Sequence, residues 1–175
     1  MRKVLRWMGM VPLMIVLLAP EGSGAGQPND AASVRARFIG TWRLVSARET
    51  LKDGTVRPYK NLGPKGQGYL MYSADGHMCA ELMNPERPRW DTPPTAQQKA
   101  ASLEGFVAYC GRFEVDAAKH LMTHYPEVAW KPNYVGTKQV RPYSFEGEHL
   151  VYSARTPPDG EPEVVEWRIE WEKVR

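Results

Sequence analysis

The chain has 175 residues, of which 42% are hydrophobic and 25% charged, with a formal net charge of +3. That is the length of one domain with a sizeable core, and its interspersed charges build no concentrated positive face of the kind nucleic-acid binding requires. Cys79 and Cys110 are the two cysteines and neither belongs to a Cys-x-x-Cys motif, so structural zinc and dithiol redox chemistry lack support and no metal or cofactor is expected.

The amino terminus reads as an export signal. Arg2, Lys3 and Arg6 form a positive region, Met8 to Ala19 an apolar stretch, and Ser23-Gly24-Ala25 a small-residue cleavage region. The apolar stretch is short of the roughly 20 residues that a membrane span needs, so no stable membrane insertion is expected once residues 1–25 are removed. Their removal takes three bases and Glu21 with it and leaves a charge of +1. The expected location is periplasmic or secreted. Residues 26–35, poor in large apolar side chains, read as a flexible lead, and 36–175 as the folded domain.

A short helical turn is expected over Ala32 to Phe38. Gly40 then opens a first strand, Thr41 to Leu51, in which Trp42, Leu44 and Ser46 alternate with Thr41, Arg43 and Val45. Asp53-Gly54 turns the chain into Val56 to Tyr59. Asn61 to Gly68 is loop, and Tyr69 to Ser73 with His77 to Met83 is a hairpin about Ala74-Asp75-Gly76. Four prolines between Asn84 and Pro94 end that strand. Thr95 and Gln98 make a capping box for a helix over Ala96 to Ala108, with Leu103, Phe106 and Val107 as its apolar stripe.

Strands return at Tyr109, where Tyr109, Gly111, Phe113 and Val115 alternate with polar partners and are expected to face inward. Leu121 to Val128 follows, with both parities mixed in polarity. After a loop over Ala129 to Gly136 come the paired runs Thr137 to Phe145 and His149 to Ala154. Pro157-Pro158-Asp159-Gly160 leads into the last strand, where Val165, Trp167, Ile169, Trp171 and Lys173 alternate with Glu166, Arg168, Glu170 and Glu172. Eight or nine short strands and one helix predict an all-β, antiparallel up-and-down barrel.

Four motifs in order carry a family resemblance: Gly40-Thr41-Trp42-Arg43-Leu44-Val45-Ser46, Gly68-Tyr69-Leu70-Met71-Tyr72 with Asp75-Gly76, Ala108 to Val115, and Gly136-Thr137-x-Gln139-Val140-Arg141. Together they resemble the bacterial lipocalin-like domain family over about residues 36–174. The resemblance implies a calycin-like barrel in which Gly40 and Trp42 open the first strand and Lys173, following Trp171 on the last, lies over the Trp42 ring. It also implies a small hydrophobic or amphipathic ligand inside. Some lipocalin-like relatives are isomerases or cyclases, so an enzyme acting on a small apolar or polyketide-like substrate is the alternative. A purely structural exported domain is a third. Residue 79, often a small hydroxyl side chain in such sequences, is cysteine here, which leaves Cys79 and Cys110 as either a disulfide or two buried thiols.

The most informative strand is Gln139, Arg141, Tyr143, Phe145, four residues that share one face by parity. A guanidinium inside a barrel is costly unless paired. Either a ligand carboxylate meets Arg141, with Tyr143 adding a donor, or an internal carboxylate such as Glu81 does. Tyr69, Tyr72, Tyr109 and Tyr152 are amphipathic and suit either core or pocket wall, with Gln139, Tyr69, Tyr109 and His124 completing the expected ligand contacts. His77 and His124 are the candidate bases or metal ligands, although their chain spacing fits no compact metal motif, and no serine-nucleophile motif is present.

Overall fold

A computed structural model describes residues 30–90, 93–155 and 161–175; residues 1–25, expected to be an export signal, lie outside the described residues. Helix α1 (Ala31–Phe38) starts inside the segment expected to be a flexible lead, because Asp30 caps it by accepting from the Ser33 amide at 2.7 Å. Nine strands follow: β1 (Gly40–Leu51), β2 (Val56–Pro58), β3 (Gln67–Tyr72), β4 (His77–Met83), β5 (Phe106–Asp116), β6 (Leu121–Ala129), β7 (Gln139–Glu146), β8 (His149–Ala154) and β9 (Val164–Lys173). Helix α2 (Ala96–Glu104) joins β4 to β5.

Every pairing is antiparallel, in the order β2-β1-β3-β4-β5-β6-β7-β8-β9, and β1 also pairs with β9. That last contact closes eight strands into a barrel and leaves β2 as an extra strand on the second half of β1. The architecture is the expected one, with two helices where one was expected.

Two local readings change. A bulge between Leu44 and Ser46 breaks the parity of β1, so Ala47 and buried Glu49 follow Trp42 and Leu44 inward while Ser46 turns out to bond Glu170. Glu49 enters the wall paired with Arg57 at 2.9 Å. Helix α2 stops at Glu104 instead of running to Ala108. Gly105 ends it, and Phe106 and Val107, aromatic and β-branched, join β5.

Cys79 and Cys110 stand directly opposite on β4 and β5 and are disulfide-bonded, with Cα atoms 4.1 Å apart. Further along, the β5–β6 register slips between Cys110 and Gly111 and leaves Glu127 out of the strand ladder. The strands approach so closely there that a Cβ on Gly111 would lie 1.9 Å from the Tyr125 carbonyl oxygen.

One end of the barrel is plugged. Phe38, fully buried at the end of α1, packs edge-on against Tyr72 and Tyr143 and tilted against Phe145. The Trp42 indole donates to the Phe38 carbonyl at 2.7 Å. Lys173 Nζ stands 5.3 Å from the Trp42 ring centre and donates to the Arg37 carbonyl at 3.2 Å. Gly40 has φ of +126°, and a Cβ there would come within 3.0 Å of Lys173 Cε; glycine admits both the backbone and the lysine.

Candidate functional site

The other half of the barrel encloses a cavity of about 260 Å³. Its deep wall comes from inward positions of six strands: Leu70 and Ala80 (β3, β4), Tyr109 (β5), His124 (β6), Arg141 (β7) and Tyr152 (β8). Trp171 on β9 adds to it. Its mouth is formed by Tyr59, Asn61, Leu103, Glu104, Trp130, Lys131 and Tyr134 from the connecting segments and α2.

Across the wall runs a chain of polar contacts that no single strand contains. Tyr109 Oη is 2.9 Å from His124 Nδ1, His124 Nε2 is 2.6 Å from Tyr72 Oη, and Tyr72 Oη is 2.6 Å from Tyr152 Oη. The four side chains come from β5, β6, β3 and β8, and each is inward by the parity of its strand. All four are buried, His124 with 1% of its surface exposed.

Burial holds the imidazole neutral: it pushes the His124 pKa well below the ordinary 6.5, and the nearby Arg141 charge pushes the same way. Burial also raises the phenols. Tyr72 stands well above its usual value, helped by Tyr152; Tyr109 is raised by burial against the opposing pull of Arg141; Tyr152 is raised by burial. At neutral pH the chain is therefore uncharged throughout.

Arg141 stands beside it, its guanidinium carbon 5.8 Å from the Tyr109 ring centre. One N–H is spent on the Gln139 carbonyl at 2.9 Å. Among the described residues no carboxylate oxygen lies within 4.0 Å of the guanidinium. Glu81, the internal partner considered from sequence, is on the exposed outer face of β4. Trp171 brings a further donor: its Nε1–H is buried with no acceptor among the described residues.

The structure thus brings three of the expected ligand contacts, Arg141, Tyr109 and His124, to the cavity and leaves the other three out of its wall. Tyr143 shares the inward face of Arg141 but lies one layer toward the plugged end, packed on Phe38, Phe145 and His120, with a buried hydroxyl that has no partner. Gln139 donates to Thr137 Oγ1 at 2.8 Å. Tyr69 is half exposed on the outside of β3, beside Arg43 and His149, because Leu70 and Tyr72 take the inner parity. His77 sits exposed at a hairpin tip, 3.2 Å from Asp75. Tyr72 and Tyr152, considered from sequence only as generic pocket aromatics, prove to be links of the chain. Their shared parity with Leu70 and Leu150 is the sequence signal for an inward position. Among the described residues no three His, Cys, Asp or Glu side chains gather as a metal site.

The model of the lipocalin-like domain family matches residues 39–174. The chain belongs to that family. A comparison with curated proteins finds no match.

Proposed function

From a lipocalin-like barrel with this interior, we infer an exported protein that binds a small hydrophobic or amphipathic molecule in its cavity. The observation that carries the reading is Arg141: a guanidinium on the cavity wall, among aromatic side chains, without a carboxylate partner among the described residues. Leaving a charge in such a place costs stability unless a bound molecule or water compensates it. The volume of about 260 Å³, just below the roughly 300–1,000 Å³ common for ligand sites, favours a compact body over a long acyl chain. Export rests on the basic, apolar and small-residue succession at the amino terminus.

The isomerase or cyclase reading draws on the Tyr109–His124–Tyr72–Tyr152 chain. The directions of the shifts weigh against it, since a depressed imidazole is a weak base and raised phenols are weak acids. Binding without turnover is the simpler use of the site.

The test is titration of a compact aromatic acid followed by quenching of tryptophan fluorescence, with Arg141→Met as the comparison. Binding should weaken by about tenfold or more, about 1.4 kcal/mol, while the thermal midpoint stays put or rises. Equal affinity in the two proteins removes Arg141 from the site, and steady consumption of the acid during incubation returns the enzyme reading. Intact mass of protein taken from the periplasm or medium tests export; it should begin within a few residues of Gly26.

A further inference from the structure

The hydrogen bonds of the cavity wall leave protons over. A neutral imidazole carries one N–H and three phenols carry three O–H groups, while the chain from Tyr109 to Tyr152 has only the three contacts described above. Each contact uses one proton. One donor is unspent whichever imidazole tautomer is present.

With the proton on Nδ1, His124 donates to Tyr109, Tyr152 donates to Tyr72 and Tyr72 to Nε2, so the free O–H is that of Tyr109. With it on Nε2, Tyr109 donates to Nδ1, His124 to Tyr72 and Tyr72 to Tyr152, so the free O–H is that of Tyr152. A third arrangement strands the proton on Tyr72, which does not line the cavity, and leaves a buried donor unmet. Both favourable arrangements present the surplus O–H at an end of the chain, and both ends line the cavity. The unpartnered Trp171 indole N–H and the Arg141 charge add to the same excess.

We propose that the cavity takes its ligand as an anion, a carboxylate or an ionised phenol or enol on a compact planar body, whose oxygens accept from Arg141 and from the free O–H of the tyrosine–histidine chain. This rests on the reading of the barrel as a binding protein. An anion supplies acceptors and a charge while bringing no donor of its own, so it satisfies the surplus; an alcohol or amine adds protons to a wall already over-supplied. The tautomer of His124 follows the ligand, because a head group near Tyr109 fixes the proton on Nδ1 and one near Tyr152 fixes it on Nε2. The charged groups that face such an anion are Arg141 at depth and Lys131 and Glu104 at the mouth; the other titratable side chains of the lining are His124, Tyr109 and Tyr152 in the wall and Tyr59 and Tyr134 at the mouth.

The experiment uses the mature protein and one planar body bearing different heads: benzoate, benzamide, benzyl alcohol, benzylamine and 4-nitrophenol, whose ionised form absorbs at longer wavelength. Benzoate should bind about tenfold or more tighter than the amide, alcohol and amine. Bound 4-nitrophenol should show its ionised band at a pH where the free compound is mostly neutral, and Arg141→Gln should return the band toward the free titration. The Tyr109→Phe, Tyr152→Phe double variant keeps the charge and removes the terminal hydroxyls; it should recover part of that shift while circular dichroism shows the barrel intact. If either variant unfolds, the wild-type ranking and the nitrophenol titration decide by themselves. Neutral heads binding as tightly as benzoate, or bound nitrophenol staying in its neutral form, overturns the anion assignment while leaving the binding protein standing. No probe binding at all overturns both.

Discussion

At the plugged end of the barrel, polar atoms carried by large side chains are mostly spent on the protein itself. The Trp42 indole bonds the Phe38 carbonyl, Lys173 lies over Trp42 and bonds the Arg37 carbonyl, and Arg37 stacks on Phe145 at 3.7 Å. In the cavity half the same residue types are left in surplus among the described residues: the Trp171 indole lacks an acceptor, Arg141 lacks a carboxylate, and the Tyr109–His124–Tyr72–Tyr152 chain holds one proton more than it can use. The difference is one of accounting between donors and acceptors, since both ends are aromatic and both carry a cation. The first end is satisfied within the protein, whereas the second leaves donors for the bound molecule that the proposed function calls for.

The strongest way to break that contrast is at Trp42. Trp42→Ala removes the plug's central ring and its bond to Phe38, and urea unfolding should report a loss of about 3 to 5 kcal/mol. A loss below about 1 kcal/mol would mean that the plug does not carry the fold. Next in size is the disulfide, which joins β4 and β5 on the parity opposite to inward Ala80 and Tyr109 and closes a stretch of 31 residues containing α2. Replacing Cys79 and Cys110 together with alanine should cost about 3 to 4 kcal/mol, seen as the gap between oxidised wild type and variant in denaturant. Its location away from the cavity wall predicts little change in ligand affinity.

A smaller effect belongs to the cavity half and depends on pH. The folded pKa of His124 is depressed by burial and by Arg141, so the unfolded chain takes up a proton first as pH falls. The native contribution is complete above the unfolded value near 6.5 and is lost as pH drops below it toward the folded value. Thermal midpoints measured from neutral pH downward, above the ordinary carboxylate range, should therefore fall more steeply for wild type than for His124→Phe. Parallel curves would show that His124 is not held neutral by the fold. The smallest expected effect tests the one exception at the plugged end, the buried hydroxyl of Tyr143 that has no partner. Tyr143→Phe should leave stability unchanged or raise it by up to about 1 kcal/mol, and should not alter ligand binding. A loss of affinity would place Tyr143 in the site after all.

The barrel was legible because strands advertise themselves locally. Alternation in Tyr109 to Val115 and Trp167 to Lys173, turns at Asp53-Gly54 and Ala74-Asp75-Gly76, and the Thr95–Gln98 capping box each depend on neighbours in sequence; Val165, expected on the same face as Trp167, is exposed, and Val164 is buried in its place. Parity also put Arg141 on the inner face, where it is. The pairing of Arg141 with Tyr143 at one site did not survive, for a geometrical reason. Residues two apart on a strand share a face yet stand roughly 6.5 to 7 Å apart along it, which here carries one side chain to the cavity and the other to the plug. Ser46 was misplaced because a bulge resets parity, and a bulge is a property of the β1–β9 pairing.

By itself, then, the sequence determined which segments are strands, where they turn and which faces of most of them are apolar, because those are matters of local propensity and period. Tertiary structure alone decided that Tyr72, Tyr109, His124 and Tyr152, spread over 80 residues, meet within hydrogen-bond distance, and that Arg141 faces them without a carboxylate partner among the described residues. Such contacts depend on register and shear around a closed barrel, which fix the height of each side chain on the wall and are summed over every strand pairing in turn.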